Sequence, residues 1–230
     1  MTQRHGREPW RDQVPVTIEE AYNRIKNKYI QLVKKSGVKE PDIRKDQEDA
    51  LQALARYAVK MDVNRIELFK GRNKGIFIFG NLGTGKSTLL RAFMACISSN
   101  GKWLHGEDER STNTFLPADK MFESIYGSSS SKFRYKHSKE CVFIDDVGTE
   151  QAMVSHFGNP KYPFIEIVTS IYEKFNESNF LEPQQTLFLT TNLSPKKIEE
   201  IYGERIADRL KELGYQIIIG GDSFRNFGKI

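Results

Sequence analysis

IFIFGNLGTGKSTLL, residues 76–90, runs from a continuous apolar stretch through a glycine-rich turn into the start of a helical pattern. Four consecutive apolar residues suit a central strand covered on both faces. The turn reads Gly80-x-x-x-x-Gly85-Lys86-Ser87. Between a strand and a helix, such glycines fold the backbone into a nest of inward N–H groups that hold phosphate, and the helix N-terminus adds a favourable dipole. The residues assigned to this role are Gly80, Asn81, Leu82, Gly83, Thr84, Gly85, Lys86, Ser87 and Thr88. In this reading Lys86 neutralises the β- and γ-phosphates, and the Ser87 hydroxyl ligates Mg2+. Kinases, GTPases, DNA motors and assembly switches share such loops, so the loop alone leaves the reaction open.

Further apolar runs follow the loop: KWLHG (102–106), CVFID (141–145), QTLFLTT (185–191) and QIIIG (216–220), separated by helical or irregular sequence. Their alternation predicts an α/β fold, a parallel sheet with crossover helices. Two segments interrupt it, residues 107–131 and the basic, aromatic KFRYKHSK at 132–139. The first is expected to hold a helix at 117–126, entered through Pro117, followed by a serine-rich loop.

Upstream, residues 1–16 are polar, with Pro9 and Pro15, and read as a flexible tail. Thr17 and Glu20 form a T-x-x-E capping box before a helix whose Ala21, Ile25, Tyr29, Leu32 and Val33 share one face. Gly37 and Pro41 end it. A second helix is expected over QEDALQALARYAVKMD (47–62), with Leu51, Leu54, Ala55 and Ala58 buried. The expected organisation is a tail at 1–16, an N-terminal helical region at 17–70 and an α/β domain at 71–230.

A chain of 230 residues, 38% hydrophobic, supplies one good core rather than two full α/β domains. It contains no apolar run of membrane-spanning length, and MTQRHGREPWRDQ lacks a signal-peptide core, so the chain reads as soluble and cytoplasmic with no membrane partner. Cys96 and Cys141 lie in apolar surroundings and read as buried, reduced and structural. The four histidines show no ligand spacing. A net charge of +5 agrees with a polyanionic partner, through counterion release.

The chemistry beyond the loop lies at strand ends. CVFIDDVGTE (141–150) ends an apolar strand in acid: Asp145 is placed to hold the water shell of Mg2+ opposite Ser87, and Asp146 to polarise an attacking water. A bland alternative makes Asp146 a strand-end cap. QTLFLTTN ends in Thr190, Thr191 and Asn192, polar groups suited to orienting water beside a γ-phosphate or, equally, to a plain turn. In YGERIADRL, Arg205 and Arg209 stand four apart on one helical face. They form either a solvated surface or a pair that reaches a neighbouring subunit's γ-phosphate.

In this order GNLGTGKS, CVFIDDVGTE, TLFLTTN, YGERIADRL and GGDSFR resemble the DnaC/DnaI-type bacterial helicase loaders of the AAA+ class, over roughly residues 75–226. The resemblance implies an AAA+ P-loop core with a five-stranded parallel sheet, little or no C-terminal lid, and ATP at a subunit interface. By position it makes Lys86 and Ser87 the Walker A pair, Asp145 and Asp146 Walker B, Asn192 sensor 1, and Arg205 with Arg209 the arginine finger. Arg225 matches the terminal arginine of the family's ending.

Residues 107–139 occupy the place where the family inserts an element that touches single-stranded DNA. Phe115, Phe122 and Tyr126 are candidates for base stacking, with core packing as the alternative for the last two, and Lys132, Phe133, Arg134, Tyr135 and Lys136 form a basic run with interleaved aromatics. The implied activity is a slow ATPase with ATP and Mg2+ as cofactors, and the implied partners are single-stranded DNA, a replicative helicase and further copies of the chain. An IstB-type transposition helper acting on duplex DNA is the near alternative. A small-molecule kinase, with 107–139 as its lid, is the distant one.

Overall fold

The computed structural model describes residues 16–66, 74–98, 103–104, 111, 113, 115–126, 141–177 and 185–220. The capping box forms as its spacing demands. The Glu20 N–H donates to the Thr17 hydroxyl at 3.2 Å and the Thr17 N–H to the Glu20 carboxylate at 2.9 Å, opening helix α1 (Ile18–Lys35). Gly37, at φ 98°, follows its C-cap. Helix α2 (Lys45–Ile66) lays Leu51, Leu54, Ala55 and Ala58 against the Ala21, Ile25 and Tyr29 face of α1.

Strand β1 (Gly75–Gly80) leads through the glycine loop into α3 (Lys86–Met94). The remaining strands of its sheet are β2 (Phe115–Pro117), β3 (Cys141–Val147), β6 (Thr186–Thr191) and β7 (Gly214–Ile219), in the spatial order β2-β3-β6-β1-β7 and parallel throughout. Alternation along the strands feeds two cores. Ile76, Ile78, Phe143 and Phe188 face α1, α2 and α3. Phe77, Val142, Ile144, Leu187 and Leu189 face the helices on the other side. Those are α4 (Met121–Tyr126), α5 (Pro163–Glu177), α6 (Pro195–Tyr202) and α7 (Glu204–Leu213). Phe143 and Phe188 stack across β3 and β6 with centroids 4.7 Å apart.

The edge strand differs from the sequence expectation. Trp103, within KWLHG, makes an isolated antiparallel bridge to Ile97, and the place beside β3 belongs to Phe115–Pro117. Trp103 is buried by packing beneath α1, which explains its apolar signal without a sheet strand. The true edge is three residues long and closes in proline, too short to show a period. The helix expected from Pro117 begins as a 3-10 turn (Ala118–Lys120) before α4. Between β3 and α5 a hairpin of β4 (Val154–His156) and β5 (Asn159–Lys161) turns through Phe157 and Gly158, both with positive φ.

Candidate nucleotide-binding site

The glycine loop leaves the carboxyl end of β1, where open parallel sheets place their ligand crevice. Gly85 stands at φ 93° as the N-cap of α3, and a Cβ there would meet Gln47 Nε2 at 3.1 Å and the Tyr29 hydroxyl at 3.3 Å. The positive φ thus strains any side chain there, and the space is tight enough that Gln47 or Tyr29 would have to give by a few tenths of an ångström. Lys86 is buried, its ammonium donating to the Asn81 carbonyl at 2.8 Å; the Thr84 hydroxyl donates to the same carbonyl at 2.9 Å. Leu82 is exposed at the loop's crown.

The loop is also held by residues at the start of α2. Gln47, fully buried in the first turn of α2, donates from Nε2 to the Thr84 carbonyl at 2.8 Å, and Arg44 reaches Thr84 O at 3.4 Å and Gly220 O at 3.3 Å. Sequence reasoning missed both residues. Gln47 falls on the stripe of Leu51, Leu54 and Ala58, so a polar residue on an apolar face was the available signal.

At the end of β3 the acids are locked to β6. Thr190 donates its hydroxyl to Asp145 Oδ1 at 2.7 Å and accepts the Asp146 N–H at 2.9 Å. Asp146 sits at φ 58° where the β3–β6 register shifts, a bulge in a conformation that aspartate tolerates better than most residues. The second Asp145 oxygen, Oδ2, accepts from Arg91 Nη2 at 2.9 Å. Arg91, one turn beyond Ser87 on α3, was also missed.

The Thr191 hydroxyl donates to Val147 O at 2.7 Å and accepts the Leu193 N–H at 3.0 Å. Both threonines therefore serve the strand ends rather than an open crevice, and Asn192 is the exposed residue just beyond them. Beyond β3, the Gly148 N–H donates to Glu150 at 2.7 Å, and Glu150 also accepts the Tyr202 hydroxyl. Burial, and after it that bond, hold the Tyr202 hydroxyl well above the usual tyrosine range.

The structure separates the two arginines. Arg205 is exposed in the first turn of α7, where Gly203 at φ 88° has turned the chain out of α6. Arg209 is half-buried: it donates to the Thr169 hydroxyl at 2.7 Å and lies 4.8 Å over the Tyr172 ring, fastening α7 to α5.

Phe115, a candidate for base stacking, instead lies between Arg91 and Phe143, 5.8 Å from the latter ring. Phe122 and Tyr126 pack on each other and on His156 of the hairpin, the packing alternative. Lys132, Phe133, Arg134, Tyr135, Lys136 and Arg225 lie outside the described residues.

Among the described residues no three His, Cys, Asp or Glu groups converge as a metal cage. The donor set at the loop, the Ser87 hydroxyl and the Asp145 carboxylate, consists of hard oxygens and suits Mg2+ carried in on phosphates. No described helix is long and apolar enough to cross a membrane.

No protein-family model and no curated protein matches the chain. Among solved structures the crystal structure of the DnaC helicase loader matches with a TM-score of 0.52 and 18% identity, covering 78% of this chain and 93% of that one. In fold, the chain is similar to that helicase loader. Five parallel strands with helices on both faces are thus an α/β fold like that of the loader. A candidate primosome component from Streptococcus pyogenes serotype M3 aligns at 20% identity and a TM-score of 0.44, covering 74% of this chain and 82% of that one. AMPPCP-bound DnaA from Aquifex aeolicus aligns at 17% and 0.45, covering 80% and 49%.

Proposed function

We propose that this chain is an ATP-dependent DNA replication factor of the helicase-loader type, which binds single-stranded DNA and a replicative helicase and switches its grip by hydrolysing ATP. The observation that carries the reading is that the Gly80–Ser87 loop, the Asp145–Asp146 pair and Thr190, which bonds to both acids, stand at the carboxyl ends of the neighbouring strands β1, β3 and β6. The fold shared with the DnaC helicase loader supports the choice of loader among the P-loop functions.

In this reading the α3 N-terminus and loop N–H groups take the phosphates, and Lys86 exchanges the Asn81 carbonyl for phosphate oxygens. Ser87 and Asp145 hold Mg2+, which when bound neutralises phosphate charge. Asp146 accepts a proton from the attacking water through its carboxylate, its backbone fixed by Thr190. Arg205, exposed on α7, completes the site of an adjacent copy. Asn192, beside the buried threonines, orients the water. The basic run at 132–136 and the exposed aromatic Phe157 at the hairpin tip supply phosphate and base contacts to a single strand.

The kinase alternative needs residues 107–139 as a mobile lid. Leu116, Ala118 and Met121, buried in the sheet's core, argue against it. ATP hydrolysis measured with and without single-stranded DNA and a ring helicase, for wild type and Arg205→Ala, tests the proposal. Stimulation that depends on Arg205 is expected. Equal hydrolysis by both proteins, indifferent to DNA and helicase, overturns it.

A further inference from the structure

Asp145, 7% exposed, is neutralised by a cation from the loop's own helix. Arg91 follows Ser87 by four residues, so both project from one face of α3. Its guanidinium donates to Asp145 Oδ2 at 2.9 Å and lies 4.6 Å over the Phe115 ring, which in turn stacks on Phe143. With Thr190 on Oδ1, each oxygen of this carboxylate already has a partner.

We propose that Arg91 is a positioning residue of the metal–nucleotide site. It is the counter-ion of Asp145 until a divalent cation enters, and it yields Oδ2 to that cation's water shell, thereby setting the Mg2+ concentration at which nucleotide is held. The inference rests on reading the loop as a Mg2+-nucleotide site. A carboxylate this buried is costly without a positive partner, so the pair stabilises the metal-free chain. The same guanidinium repels a second cation at the same oxygen, so removing its charge strengthens metal binding there. The Arg91 side chain is 48% exposed, and solvent screening keeps the effect modest.

The test titrates Mg2+ against a fixed concentration of a fluorescent ATP analogue bound to the full chain. Arg91→Gln is expected to lower the half-saturating Mg2+ concentration by about threefold to fivefold, and Arg91→Lys to return it towards wild type. In EDTA without nucleotide, Arg91→Gln lowers the thermal midpoint, and that loss shrinks when Asp145→Asn is already present. An unchanged or higher Mg2+ requirement in Arg91→Gln overturns the inference. So does a stability loss that persists in full with Asp145→Asn, which assigns Arg91 to the Phe115 contact alone. Either result, with normal nucleotide binding by wild type, leaves the nucleotide reading standing, whereas a wild type that binds no analogue at any Mg2+ concentration overturns both.

Discussion

The side-chain amide of Gln47 donates to the Thr84 carbonyl at 2.8 Å, tying the first turn of α2 to the glycine loop across 37 positions of sequence. Because the peptide is planar and trans, holding that carbonyl towards α2 points the Gly85 N–H the opposite way. The N-terminal helices therefore fix one of the loop's donors as well as completing the core. Gln47→Leu roughly keeps the volume but leaves the Thr84 carbonyl only the long 3.4 Å contact from Arg44, and is expected to cost about 1–3 kcal/mol in urea unfolding. It is also expected to weaken nucleotide binding by about tenfold, read by a fluorescent ATP analogue. Lost stability with unchanged affinity indicates a loop that keeps its shape without α2.

Thr190 is the joint between β6 and both acids. Thr190→Val removes a hydroxyl that serves Asp145 Oδ1 and the Asp146 N–H together, with almost no change in volume. The expected loss is about 1–3 kcal/mol of stability and at least about tenfold in ATP turnover, whereas Thr190→Ser retains most of both. Equal turnover in the valine and serine variants removes Thr190 from the site.

The sequence made the scaffold legible where signals were local and repeated. The α1 capping box, the apolar stripes of α1 and α2, and the strands CVFID and QTLFLTT lie where their periods put them. The short edge Phe115–Pro117 carried no period, and buried Trp103 imitated a strand. The glycine loop and the strand-end acids stand at the carboxyl ends of their strands, as the apolar runs before them predict. Their partners Gln47, Arg44 and Arg91 are joined to them only by tertiary contact. Arg205 and Arg209 look equivalent along a helix, and only the packing of α5 against α7 distinguishes them.

Tyr29, under the loop, predicts alkaline sensitivity. Burial pushes its hydroxyl up to about 12, with Arg44 pulling down and Asp46 pushing up. An unfolded tyrosine titrates near 10, so above that pH the unfolded chain releases a proton that the folded chain retains. Stability is then fully present below about pH 10 and falls as pH rises towards 12. Tyr57, raised by burial, contributes in the same direction. Urea unfolding at about pH 8 and about pH 11 should show wild type losing more stability between them than Tyr29→Phe. Equal losses exclude Tyr29 as a source of the dependence.

Arg205 and Arg209 provide the sharpest separation of structure from chemistry. Arg209→Ala deletes the bond to Thr169 and the stacking on Tyr172, so about 1–2 kcal/mol of stability should be lost. Arg205→Ala, at an exposed position, should leave the unfolding midpoint nearly unchanged yet reduce DNA-stimulated hydrolysis by about a thousandfold if its guanidinium serves a neighbouring copy. Subunit mixing distinguishes trans from cis. Lys86→Ala cannot hold phosphate but still presents Arg205, while Arg205→Ala retains its loop. Each should be inactive alone, and their mixture should regain hydrolysis, because an intact loop then meets an intact arginine across an interface. If the mixture is as inactive as its components while wild type hydrolyses ATP, Arg205 does not complete a neighbour's site.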